Sequence, residues 1–396
     1  MGADTEKKYT LRKDFKKNIT NTPLKNFLRK YSIQFTEISE DLISKLEENV
    51  DNGKIPYNDL YEFLEHETRY GHNRTMFCYE IATEDLNKIR SLNITKLENL
   101  LRIKGWELPE LQLIDFYLPE KLLLAEYTIS TCKEINLTFV ETINISGNED
   151  KVIKKDNNFY FVTINPNEKI FSVRMRPRAN AVKVVGGNIS NKINDVQLFY
   201  KIKKIIEDIF SINLITSIFF KNTLYEIAKD MTEKGEEEWK KEVSKYKKEI
   251  NDFAEEMQSK LPGIDPEIFD LKFRLTRLFE RALIKSNFTQ LKVNKPGKKG
   301  YVHMFHFSDK AGGKIKASSK EKEKAIELSE IYYDTRDTID KSRAYDILWV
   351  YWFQKNEILR TKLEATSEYY QIHFYKYLSK DDIFHVLSEI RNYQNK

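Results

Sequence analysis

"INLTFVETINI" (135–145), "NNFYFVTI" (157–164) and "KIFSVRMR" (169–176) decide what kind of fold this chain can have. Each run is rich in β-branched and aromatic residues, and the first two are followed by the turn clusters "SGNED" (146–150) and "NPNEK" (165–169). Strands are the expected outcome, because branched and flat side chains suit a pleated, half-buried surface. Connections this short predict antiparallel pairing, since parallel neighbours need a long crossover. We therefore expect a small antiparallel β domain over 109–187, closing near Gly186–Gly187.

The third run also carries the first candidate site. Ser172, Arg174, Arg176 and Arg178 share one parity, and Phe171, Val173 and Met175 the other. One face of this strand is then apolar and the other holds three arginines, with Lys183 just downstream. A row of like charges repels itself unless anions or carboxylates stand opposite. Phosphate is one such partner, since a guanidinium suits bidentate oxyanion recognition. Acidic side chains of neighbouring helices are the other.

On the N-terminal side, residues 1–108 read as a helical domain. Thr22–Pro23 starts a helix whose Leu24, Phe27, Leu28 and Tyr31 share a face. Ile38, Leu42, Ile43 and Leu46 mark a second, and "NDLYEFLEHETRY" (58–70) a third that stops at Gly71. Further helices are expected over 73–92 and 95–104, with Gly105 as a C-terminal stop.

On the C-terminal side, 188–262 reads as a helical arm. Trp239, Val243, Tyr246, Ile250, Phe253 and Met257 form a short heptad seam of coiled-coil type, flanked by Glu-to-Lys pairs such as Glu236–Lys240. The seam suits a helix hairpin within the chain, or a protein partner or self-association through residues 239–257. After "LPGIDPE" (261–267), residues 263–396 read as a C-terminal helical domain containing a basic hairpin. Arg274, Arg277, Arg281 and Lys285 make one cationic helix stripe. The stretch "KPGKKGYVHMFHFSDKAGGKIKASSKEKEKA" (295–325) then supplies Lys298, Lys299, Lys310, Lys314 and Lys316. A basic helix followed by a basic hairpin has the outline of a winged-helix DNA reader. His303 and His306 lie in a strand-like run, where alternation puts them on opposite faces, so no shared metal site is expected. The aromatic runs "YDILWVYWF" (345–353) and "EYYQIHFYKY" (368–377) read as buried helices.

Composition sets the outer limits. The chain has 396 residues, 66 Lys+Arg against 61 Asp+Glu, and a net charge of +5, so only the distribution of charge can point to nucleic acid. Cys78 and Cys132 cannot build a disulfide framework or a cysteine zinc site. No apolar run reaches a membrane span, and the first residues lack the apolar core of a signal peptide, so no membrane partner and a cytoplasmic location are expected. Nucleophile-elbow, zincin and phosphate-loop motifs are absent, and no cofactor is implied.

The resulting expectation is an α+β, predominantly helical fold with a small antiparallel sheet in the middle. The expected function is binding of nucleic acid, DNA before RNA, through phosphate contacts of the basic strand, helix and hairpin. An antiviral defence or mobile-element system of a prokaryote is the expected setting. The alternatives are a helical protein–protein adaptor or complex subunit, and a metal-dependent nuclease resting on dispersed acidic residues.

Overall fold

The computed structural model describes residues 9–147, 153–216, 220–233, 236–261, 263, 265, 270–286, 297–308, 312–319, 324–354 and 357–394. The chain divides into two compact units, residues 1–217 with 367–384 and residues 218–366 with 385–396. Each is described by itself.

The first unit opens with helices α1 (Lys13–Asn18), α2 (Asn21–Lys30), α3 (Ser39–Asp51) and α4 (Tyr57–Arg69). Leu24, Phe27, Leu28, Leu42, Leu46 and Leu64 give them a shared core. Strand β1 (His72–Ile81) follows, then α5 (Leu86–Arg90) and α6 (Ile94–Ile103). Next come β2 (Leu123–Ile129), β3 (Ile135–Ser146), β4 (Ile153–Asn165), β5 (Ile170–Met175), β6 (Ala181–Val185) and β7 (Asn188–Lys192). Helix α7 (Asp195–Phe210) and the short β8 (Leu214–Ile215) complete this stretch. An Asn194–Gln197 capping box starts α7, satisfying two orphan N–H groups at once.

Strand β13 (Tyr370–Tyr377) belongs to this unit as well. Its strands run in the order β13-β1-β5-β4-β3-β6-β7, with β2 on β3 and β8 on β1. All of these pairings are antiparallel. One face of the sheet carries Phe77, Tyr79, Val162, Phe171 and Val173, and buries them against Phe199, Ile202 and Ile206 of α7 and Leu97 and Leu101 of α6. Arg174 and Phe161, which sit directly opposite each other on β5 and β4, take the other face.

The second unit comprises α8 (Phe220–Glu233), α9 (Glu237–Ser244), α10 (Lys247–Lys260), α11 (Leu271–Ser286), β9 (Gly300–Ser308), β10 (Lys314–Ser318), α12 (Glu330–Ser342), β11 (Ile347–Phe353) and β12 (Ile358–Ala365). Its strands run β10-β9-β11-β12, again antiparallel. Helix α8 packs on this sheet. Trp352, fully buried, donates its indole N–H to the Thr361 hydroxyl at 2.8 Å, which satisfies a polar atom that burial would otherwise orphan. The boundary between the units falls inside α13 (Lys380–Gln394), after Phe384.

The expected predominantly helical fold with a small central sheet is corrected by this architecture. Among the described residues thirteen strands form one large antiparallel sheet. Residues 72–81, read as part of a helix, are a strand, and so are 347–353, 358–365 and 370–377. In β12 the alternation is clear, with Leu359, Thr361, Leu363 and Ala365 buried in turn. The heptad seam is not one helix either. The chain breaks at Lys245–Tyr246 between α9 and α10, leaving Val243 and Ile250 buried but Tyr246 and Phe253 exposed. The winged-helix outline also falls, because β9 pairs with β11 on its other side and is an inner strand rather than a free wing. Among the described residues no helix is long and apolar enough to cross a membrane.

Gly300 is where the second unit is least forgiving. A Cβ there would lie 2.3 Å from the Tyr351 carbonyl oxygen on the paired strand. Gly300→Ala must open the β9–β11 pairing and is expected to cost about 2 kcal/mol or more in urea unfolding. An unchanged unfolding midpoint would mean that this close approach constrains nothing.

Candidate phosphate-binding sites

The arginines of "KIFSVRMR" do not face open solvent. Their side of the sheet meets α1 and α4, and the residues between them line a small cavity of about 40 Å³. Asn18, Thr68, Arg74, Asn157, Arg176 and Arg178 are among its walls. Arg174 lies beside it, its guanidinium over the rings of Tyr70 at 4.9 Å and Phe161 at 5.2 Å. Arg178 pairs with Asp156 at 3.0 Å and donates to the Asn157 carbonyl and the Asn158 side chain. Arg176 makes one described hydrogen bond, to Asn18 Oδ1. Lys183 is exposed on β6.

Arg74 completes the group and has no counterpart in the sequence reading. It is 5 % exposed and donates to four main-chain carbonyls, those of Glu67, Thr68, His72 and Asn73. Glu67 and Thr68 stand in the last turn of α4, where unsatisfied carbonyls and the negative end of the helix dipole favour a cation. Burial, then the nearby Arg176 and Arg174, pulls the Arg74 guanidinium down to about 9; it is still protonated at neutral pH. Burial and Arg178 likewise bring Arg176 to about 10. Gly71 makes the arrangement possible, because its φ is +33° and a Cβ would lie 2.5 Å from the Glu67 carbonyl and 2.8 Å from Arg74 Nη2. "TRYGHNR" (68–74) held this signal, since a glycine at the end of a helical run licenses a tight return of the chain.

The basic residues of the second unit have mixed fates. Arg274, Arg277 and Arg281 line one groove of about 360 Å³ together with Arg336 and Tyr333 of α12. Acids hold several of these guanidiniums in place. Arg277 pairs with Glu280 and Asp340, each at 3.0 Å, and Arg336 with Glu236 at 2.5 Å and Glu233 at 2.7 Å. Arg277 Nε is buried without a hydrogen-bond partner among the described residues. Lys285 is exposed at the end of α11, and Lys314 and Lys316 are exposed on the edge strand β10. Lysines on an edge strand also guard against edge-to-edge pairing. Lys299 pairs with Glu389, and Lys310 lies outside the described residues.

Lys298 is buried against Glu327 at 2.6 Å, both side chains being 0 % exposed. Burial drives the Glu327 carboxyl up to about 7, with Lys298 opposing and Glu236 adding to the rise.

A bulge alters the histidine argument. Trp349 stands opposite Met304 but Val350 opposite Val302, so His303 is an extra residue on β9. His303 then packs on Tyr351 at 5.5 Å and His306 on Trp349 at 5.0 Å. Tyr351 and Trp349 are two apart on one strand, so both imidazoles lie on the same face rather than on opposite ones. Among the described residues no group of three or more His, Cys, Asp or Glu side chains is placed to hold a metal ion.

Both clefts are lined by guanidinium groups together with carboxylates. Compared with known proteins, the chain matches no family, no curated protein and no solved structure.

Two outcomes test this description. Gly71→Ala should displace Arg74 and cost about 1–3 kcal/mol in chemical unfolding, the range for a side chain forced into a strained backbone. Glu327 has a folded pKa raised above its unfolded value, so the stability it contributes is present in acid and lost as pH rises through 7. Between pH 5 and 8 the native protein should lose on the order of 2–3 kcal/mol relative to Glu327→Gln. Parallel pH profiles for the two proteins would show that Glu327 ionises like an exposed carboxylate.

Proposed function

We propose that this protein binds nucleic acid by its phosphates, with DNA the first substrate to try and a cytoplasmic setting. The observation that carries the reading is the α11–α12 groove, where Arg274, Arg277, Arg281 and Arg336 share one concave surface with Tyr333. Guanidiniums held by acids, as Arg277 and Arg336 are, keep a fixed orientation, which lowers the ordering cost of binding. An aromatic ring beside arginines suits a stacked base, and single-strand binders combine these two elements. The exposed Lys183, Lys285, Lys314 and Lys316 add cationic surface within their own units. An antiviral defence or mobile-element role belongs to the same proposal.

A rival reading, a helical protein–protein adaptor, is favoured by a different feature. Between α10 and α11 lies an apolar groove of about 640 Å³ lined by Tyr246, Ile250, Phe253, Phe279 and Leu283. Tyr246, Phe253 and Phe279 are each about half exposed, and solvated apolar patches of this kind mark interaction surfaces.

Fluorescence anisotropy with single-stranded and duplex DNA separates the two. Binding should weaken steeply with salt, and the Arg274→Gln, Arg281→Gln double variant should lower the log–log salt slope by about 1–2. Phe253→Glu should leave that slope unchanged. No binding at low salt by the native chain, together with a concentration-dependent mass abolished by Phe253→Glu, would replace the first reading with the second.

A further inference from the structure

We propose that the outward face of the β10-β9-β11-β12 sheet is a platform for single-stranded nucleic acid, with bases stacked at Trp349 and phosphates on the lysines beside it. This rests on the nucleic-acid reading above and adds to it the strand state and a second surface. Strand register defines the face. Lys316, His306, Ile347 and Glu364 stand in one row across the four strands, and Ser318, Met304, Trp349 and Lys362 in the next. Tyr301, Tyr351 and Arg360 follow, and then Phe353 with Ile358. Directly opposed residues point to the same side of a sheet, so these rows make one surface.

The two sides of the sheet differ in what covers them. On the inner side Phe305, Leu348 and Leu363 share a row and are buried. Tyr345 stacks on Tyr225 of α8 and meets Phe305 edge-on, which puts α8 on that side. On the outer side Lys314, Lys316, Ser318 and Ile358 are exposed, and Met304, His306, Trp349, Phe353 and Lys362 are partly exposed. Tyr301 and Tyr351 are buried there, in a cluster with Ala325. A sheet with one wet face ordinarily sets polar residues on it. β11 does the reverse, since Ile347, Trp349, Tyr351 and Phe353 all take the outer side. Solvated apolar surface of this kind marks a binding face.

Charge selects the occupant. Lys314, Lys316, Arg360 and Lys362 lie on this face, and Glu364 is the one acid in the rows described, paired with Lys362 at 2.5 Å. Asp346, just before β11, is held by Lys221 at 2.6 Å. Cations thus outnumber acids on the face. A second copy laid against it would bring the same sign of charge, whereas a polyanion carrying flat rings complements both features. Trp349 has His306 at 5.0 Å between ring centres. The His306 imidazole, lowered first by burial and then by Lys316 and Lys362, is neutral at pH 7 and adds a second flat ring beside the indole. Single-strand binders pair a cationic margin with rings on which bases stack. A duplex keeps its base faces inside its own stack, so it can use the lysines but not the rings.

The test is titration of the full chain at low salt with labelled oligo(dT) and with a duplex of the same length. Oligo(dT) is expected to bind at least ten-fold more tightly than the duplex and to quench tryptophan emission. Trp349→Leu, which keeps apolar volume and loses the indole, should weaken oligo(dT) about ten-fold and remove most of the quenching. Trp349→Phe, which retains a ring, should recover most of the affinity, a rescue that a merely structural role would not give. Lys314→Gln with Lys316→Gln should lower the log–log salt slope by about 1. An oligo(dT) affinity unchanged in Trp349→Leu overturns the platform, and if Arg274→Gln with Arg281→Gln still weakens binding, the α11–α12 groove stands without it. Equal affinity for duplex and single strand overturns the platform as well. No binding of either by the native chain overturns the nucleic-acid reading and this inference together.

Discussion

Strand β1 is the member on which the first unit depends. It runs between β5 and β13, and its residues from Arg74 to Tyr79 are buried without interruption. A strand covered on both faces contributes apolar area twice, and every main-chain donor and acceptor along it must find a neighbour. Its register with β5 places Met76 beside Arg174 and Phe77 beside Val173, so that one sheet face is a continuous hydrophobic layer and the other carries Arg174 between Met76 and Phe161. Where α4 ends and β1 begins, the Arg74 guanidinium turns this geometry into a joint, binding the helix's last carbonyls from the first turn of the strand's path.

Several cations elsewhere are held by acids rather than by carbonyls. Arg178, Arg277, Lys298, Lys299 and Arg336 all meet carboxylates within their own units. Ion pairs taken out of water are weak sources of stability, because desolvation cancels much of the attraction, but removing either member is costly. They therefore fix geometry more than they add free energy. Among the described residues Arg74 and Arg176 form no direct ion pair, and Glu67 and Asp156 act on them from further off.

The legible parts of the fold were those with an uninterrupted period. β3, β4 and β5 alternate between short turns, and the parity that set Arg174 apart from Phe171, Val173 and Met175 is the parity of the sheet, while Arg176 and Arg178 lie past the end of β5 at Met175. β11 hid its period, because in Leu348–Phe353 every residue is apolar or aromatic and helical and strand spacing fit equally well. β1 was masked for the same reason from both faces at once. β12 carried a clean alternation, which the pull of its aromatic neighbours obscured. At the candidate sites, the stripe of Arg274, Arg277 and Arg281 does line one groove, but Arg336 and Arg74 reach their clefts through tertiary contacts that no local pattern encodes. The bulge at His303 is of the same kind, since it exists only in the pairing of β9 with β11.

The placement of β13 bears on how the chain comes to be folded at all. Residues 370–377 pair with residues 72–78, so the first unit joins strands separated by almost the whole intervening chain, including all of 218–366. During synthesis the edge of β1 stays unpaired until residue 377 has left the ribosome. Contacts of such long sequence separation form slowly, and an open, apolar strand edge is the kind of surface that invites pairing with the wrong chain. Each unit is closed by a segment from the other end of its sequence, residues 367–384 for the first and 385–396 for the second, and the exposed edge of β1 is where a chaperone's shelter would matter most for the first.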